Sequence, residues 1–201
     1  TLPVTTLLQP RDYINAWQIF IAMGLLVLGV FGTSFAGSLK LVAPAFQQNP
    51  AGAPSIWPFL FITIACGAIS GFHSLVSSGT SSKQVEKESD ALFVGYGSML
   101  LESALAVLVI IAVAAGIGIA YTTADGNVLT GAAAWKTHYA SWQASAGLGS
   151  KIDAVVTGSA NMMNSVKIPL ELGIIIMGVF IASFAGTTLD TATRIQRYVL
   201  G

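Results

Sequence analysis

Four long runs of apolar residues alternate along the chain with shorter polar stretches. Residues 14–33, 56–78, 91–121 and 168–190 each provide the roughly 20 mostly apolar positions that a helix needs to cross a bilayer. The pattern predicts an all-α fold, a polytopic transmembrane helix bundle. Residues 122–167 break the pattern, with Asp125, Asp153, three lysines and two tryptophans. No window there is apolar enough for a span. A folded, partly interfacial loop is expected, with room for a shallow re-entrant piece. Within it, 132–146 has the spacing of one amphipathic helix carrying Trp135, Tyr139 and Trp142 along a side.

Local signals place the ends. Pro10 disfavours helix at Gln9, so the first helix is expected to begin just after it, capped by Asp12. Tyr13 and Trp17 suit a membrane interface. Gly29, Thr33 and Gly37 recur every four residues, a small-residue seam for a second helix. Residues 32–38 have the outline of a phosphate loop but lack its lysine and a preceding strand. Pro44, Pro50, Gly52 and Pro54 mark 38–55 as a loop.

In the second span, Thr63, Cys66, Gly67, Ser70, His73, Ser74 and Ser77 fall on one stripe at helical spacing. Gly67 and Gly71 make a second close-approach pair. Gly79 suits a helix exit, and Ser81 with Gln84 resembles a capping box opening a short surface helix. The third run exceeds a bilayer thickness, so tilt, a kink or a projecting end is expected. On the fourth, Gly178, Ala182 and Gly186 form another seam, and Ser183, Thr187, Asp190 and Arg194 descend one face.

Composition sharpens the class. Of 201 residues, 54% are hydrophobic and only 9% are charged. Soluble domains carry about a quarter charged residues. Nine acidic and nine basic residues cancel, so no global field points to nucleic acid as a partner. The single cysteine, Cys66, builds neither a disulfide framework nor a thiolate metal site alone. Arg11, Lys83, Lys87, Arg194 and Arg197 flank one side of the four spans, which places the termini in the cytoplasm. The 122–167 loop is then non-cytoplasmic.

Two ionisable side chains lie inside apolar runs. His73 changes charge near neutral pH, which suits proton binding, or it is a neutral imidazole bonded to a neighbouring helix. Glu102 lies too deep to reach water easily, so it must be protonated, paired or hydrated. Thr187, Thr188 and Ser183 offer oxygens to a cation or substrate, or bond their own helix carbonyls. Asp190 and Arg194 form an i, i+4 pair, solvated or locking a gate. Glu171 favours the start of its helix. No hydrolase, zinc or dithiol motif is present, so the chain reads as a non-enzyme without a resident cofactor.

Four blocks resemble one family: PFLFITIACGAISGFH (58–73) with SGTSSK (78–83); ESDA (88–91) with GYGSMLLES (95–103); FAGTTLDTATR (184–194); and LQPRDYIN (8–15). Together they are similar to the carbon starvation protein (CstA) family of bacterial inner-membrane transporters. Members are much longer, so the chain is expected to be an interior portion whose partners include the remaining helices and the lipid bilayer. The resemblance implies uptake of small peptides, or of pyruvate in related members, driven by an H⁺ or Na⁺ gradient when carbon runs short. It also implies inverted repeats with substrate at broken helices near the midplane. On that analogy 67–79 resembles a segment able to unwind, and Thr187 with Thr188 resembles paired sodium-binding hydroxyls.

The expected substrate and ion path thus comprises Ser70, His73, Ser74, Glu102, Ser183, Thr187, Thr188 and Asp190. A passive channel, or a sensor or structural subunit of a starvation response, would use the same polar stripes. Accumulation against a gradient separates a transporter from a pore.

Overall fold

In the computed structural model, which describes residues 4–47, 52–69, 71–79, 81–123 and 125–200, nearly all regular structure is helical. The helices are α1 (Val4–Phe35), α2 (Ile56–Ala68), α3 (Gly71–Gly79), α4 (Asp90–Leu92), α5 (Ser98–Ala114), α6 (Ala132–His138), α7 (Trp142–Ala146), α8 (Leu148–Asn164) and α9 (Leu170–Leu200). A two-residue antiparallel pair, β1 (Tyr121–Thr122) with β2 (Val128–Leu129), precedes α6. Among the described residues, four segments are long and apolar enough to cross a membrane: Pro10–Phe35, Ile56–Lys83, Asp90–Gly118 and Leu170–Arg197. The chain divides into two units, Thr1–Ala53 with Leu105–Ser183, and Pro54–Ala104 with Phe184–Gly201.

The first unit holds the core. Ala22 and Leu26 of α1, Leu108 and Ala112 of α5, Val156, Met162 and Met163 of α8, and Met177 and Phe180 of α9 are buried together. Small residues decide how closely α8 approaches its neighbours. A Cβ on Gly29 would stand 3.0 Å from the Met162 carbonyl, and one on Gly32 would stand 2.7 Å from Ser165 Oγ. Thr33 is fully buried on the same face and donates to the Gly29 carbonyl at 2.7 Å. The seam on α1 is therefore Gly29, Gly32 and Thr33. Gly37 is not part of it. At φ +68° it ends α1, with the Ser38 N–H on the Thr33 carbonyl and its own N–H on Ser34, a left-handed helix stop.

α8 is the element that hydropathy missed. Its Gly, Ala and Ser positions are individually too weakly apolar to register as a span, yet the residues from Gly158 to Met163 are all buried. Asn161, 4% exposed, donates to the Gly116 carbonyl at 3.0 Å and the Ala120 carbonyl at 2.6 Å. This fixes the single 3₁₀ turn Gly116–Gly118 beyond α5. The N–H groups of Val42 and Ala43, in the loop after α1, both reach the Ala114 carbonyl and satisfy that helix end.

The second unit contains α2, α3, α4, the start of α5 and the end of α9. The run expected as one helix over 56–78 is two. α2 stops at Ile69 (φ −120°, ψ 47°), whose N–H still reaches the Ala65 carbonyl, and α3 restarts at Gly71. Gly71–Gly79 is helical, so 67–79 is not an unwound stretch as a whole, and among the described residues the departure from helix is at Ile69. No atom lies within 4 Å of a Cβ built on Gly67 or Gly71, so that pair meets no neighbour among the described residues. The same is true of Gly178 and Gly186 on α9. There the close glycine is Gly173, in the first unit, against Ala160.

Other boundaries also shift. α1 starts at Val4 and carries Pro10 inside it, so Asp12 is not a cap; its carboxylate lies 3.5 Å from the Arg11 guanidinium. Ser81 and Gln84 close only the 3₁₀ turn Ser81–Lys83, without a following surface helix. The third run contains a π turn, Phe93–Gly97, and leaves α-helix at Ala114 instead of Tyr121. The polar end of α9 extends the fourth helix to Leu200, because nothing in 191–200 breaks a helix. The helix expected over 132–146 is split between α6 and α7, where the Ser141 hydroxyl accepts the Ala144 N–H and starts α7 afresh.

Candidate functional site

In the second unit α3 and α5 bring two ionisable side chains together. His73 Nε2 lies 3.8 Å from Glu102 Oε2, and the side chains are 49% and 57% exposed. That separation is an ion-pair distance, longer than a direct hydrogen bond. When the imidazole is cationic, the carboxylate is its counter-charge within the apolar segment. Helix geometry supplies the placement. Ser98 and Ser103, around Glu102, turn their hydroxyls onto the Val94 and Met99 carbonyls of their own helix. Glu102 is left as the polar group that projects.

The remaining expected path residues distribute as follows. Ser70 lies outside the described residues. Ser74 is exposed on α3, and its carbonyl accepts the Ser77 and Ser78 hydroxyls at 2.9 and 3.0 Å. Thr188 donates to the Phe184 carbonyl at 3.1 Å, and the Thr187 carbonyl accepts the Thr191 hydroxyl. Asp190 pairs with Arg194 at 3.1 Å, with side chains 22% and 26% exposed. This ion pair is partly buried rather than fully solvated. Ser183 belongs to the first unit and donates to Asn15 Oδ1 at 2.8 Å, joining α9 to α1. Its hydroxyl proton is thereby committed to a helix–helix contact.

A second polar cluster escaped the sequence reading. His138, at the end of α6, has a side chain only 3% exposed. Its Nδ1 is 3.2 Å from the Tyr121 hydroxyl and 3.8 Å from Asp153 Oδ2, and its Nε2 is 3.3 Å from the Ser150 hydroxyl. Burial, and then the Asp153 charge, pushes the Tyr121 phenol above its ordinary value; burial alone raises Tyr139. The cluster ties the β1–β2 hairpin, α6 and α8 together outside the four apolar segments. Its members are 12 to 17 positions or more from one another in sequence apart from the α8 pair, so no motif spacing announces it.

The family model described as carbon starvation protein CstA matches residues 1–201. The peptide transporter CstA of Helicobacter pylori is 46% identical over 111 residues, covering 55% of this chain and 16% of that protein. The corresponding Campylobacter jejuni protein is 47% identical over 121 residues, again 55% of this chain and 16% of the relative. The pyruvate/proton symporter BtsT of Escherichia coli K12 is 45% identical over 116 residues, with the same coverages of 55% and 16%. The matched stretch is thus about a sixth of each of these relatives. No solved structure matches the chain. A match across every residue, on four membrane-length segments, means that the chain belongs to the carbon starvation protein CstA family.

Proposed function

We propose that this chain forms part of a secondary transporter of the bacterial inner membrane, with termini cytoplasmic, that imports small peptides or pyruvate by coupling to a proton gradient. The observation that carries the reading is the His73–Glu102 pair, two titratable groups 3.8 Å apart on apolar helices. A passive pore has no requirement for such a pair, whereas proton coupling does. The break between α2 and α3, near the middle of the apolar segment Ile56–Lys83, supports the same reading, because broken helices are where transporters expose backbone groups to a solute. In this scheme proton uptake converts the neutral imidazole beside Glu102 into a cation that the carboxylate holds. Release on the cytoplasmic side reverses the step. Ser74, Thr187, Thr188 and Asp190 then supply hydroxyls and a charge along the path.

The test is counterflow and gradient-driven uptake by the full-length protein in proteoliposomes, with labelled dipeptides and pyruvate. Sodium is omitted in one arm and the pH gradient collapsed in another. Uptake that fails only when the pH gradient is collapsed supports proton coupling. Sodium dependence would transfer the coupling role to an oxygen site such as Thr187 with Thr188. His73→Ala is expected to abolish accumulation in protein that still elutes as a folded species. Accumulation at the wild-type rate with unchanged pH dependence would remove His73 from the mechanism.

A further inference from the structure

Outside the four apolar segments, α6, α7 and the start of α8 line a half-open cavity of about 360 Å³. Small-molecule sites span roughly 300–1,000 Å³ and combine apolar walls with a few placed polar groups. Here the walls are Trp135, Tyr139 and Trp142, and the polar groups include Gln47, Ser141 and Lys151. Trp135 and Tyr139 pack ring to ring at 4.2 Å, and Tyr139 rests edge-on against His138 at 4.6 Å. Because His138 is buried and tied to Tyr121 and Ser150, the aromatic wall is anchored before any ligand arrives.

The charge of the site is one-sided. Lys151 lines the cavity and forms no ion pair among the described residues. An adjoining cavity shares Gln47, Trp135 and Tyr139 and brings Lys136. Among the described residues, no carboxylate lines either space. Gln47 supplies an amide able both to donate and to accept, the match for a peptide bond. An aromatic wall, an amide and an unpaired ammonium complement an apolar side chain, a peptide group and a terminal carboxylate. Pyruvate, with a single methyl as its apolar part, would leave the aromatic wall unused.

We propose that this cavity is a capture site for short peptides, gripping the terminal carboxylate through Lys151 and an apolar side chain between Trp135, Tyr139 and Trp142. The inference rests on the transport reading above for its place on the non-cytoplasmic side and for its substrate class. A solute held there is bound outside the membrane-length segments before transport.

Isothermal titration of the purified full-length protein with glycyl-phenylalanine, and with its carboxamide, tests the site. Lys151→Gln should weaken the acid by about ten-fold or more and leave the carboxamide unchanged, with Lys151→Arg restoring most of the loss. Trp135→Ala should weaken both ligands. Since Lys151 is exposed, its substitution leaves the fold intact, and elution volume checks this. Equal affinity of wild type and Lys151→Gln for the acid overturns the capture site. If liposomes containing either protein then still accumulate the dipeptide, the transport reading stands alone. If wild type neither binds nor accumulates the dipeptide, peptide transport and the capture site both fail. Accumulation of pyruvate in that case would preserve only the carboxylate form of the transport reading.

Discussion

Gly116, in the turn after α5, and Gly158, on α8, lie backbone to backbone, so that a Cβ on Gly116 would stand 2.5 Å from the Gly158 carbonyl oxygen. The obstacle is main chain and cannot rotate away. Gly116→Ala is expected to lower stability by about 1–3 kcal/mol through overpacking. Thermal unfolding of the detergent-solubilised protein, followed by size-exclusion chromatography, checks this against Gly126→Ala. Gly126 adopts φ +79° with no atom near its Cβ position. A substitution there strains the backbone of one exposed turn without colliding with a packed helix, so the smaller shift is expected from it.

Asn161 holds two carbonyls at once. Asn161→Ala should remove the side-chain donor of the Ala120 carbonyl and leave the Gly116 carbonyl with the Ile119 N–H alone, at about 1–3 kcal/mol for the lost buried hydrogen bonding. Hydrogen exchange should rise in residues 115–121, since the turn loses its tie to α8. Unchanged protection there would mean that backbone packing alone holds the turn.

His73 and Glu102 should behave as one unit in transport. Glu102→Gln is expected to remove proton-driven accumulation as His73→Ala does, and the double variant should be no worse than either single one. Residues sharing one task are non-additive in this way. Losses that multiply in the double variant would show that the two act separately despite their 3.8 Å approach.

Alkaline pH should loosen the segment outside the membrane-length helices. Tyr121 and Tyr139 ionise above the ordinary phenol value of 10.0 in the folded protein. The folded state therefore keeps protons that the unfolded state has already lost. Their contribution is complete below pH 10 and is lost as the pH rises through the raised folded values. A tyrosinate absorbance titration should show late-ionising phenols. Tyr139→Phe should remove one of them and flatten the decline in stability.

The amino-acid sequence by itself determined the class of the protein, its four membrane-length segments and its family. Long apolar runs and quoted blocks are local properties, readable without knowing what touches what. It also marked His73 and Glu102, because an ionisable group in an apolar run stands out wherever it points. The aromatic trio Trp135, Tyr139 and Trp142 was legible as one side of one element, and the three do line one cavity, although two helices present them. Tertiary structure decided the rest. α8 is buried in part through small-residue contacts that hydropathy scores as weak, and only the facing backbone of Gly116 and Ala112 gives Gly158 its meaning. His138 gains its partners from β1 and α8, which lie apart from it in the chain. Whether Ser183 served a path or a helix contact depended on Asn15, 168 positions away, a distance over which no periodicity carries information.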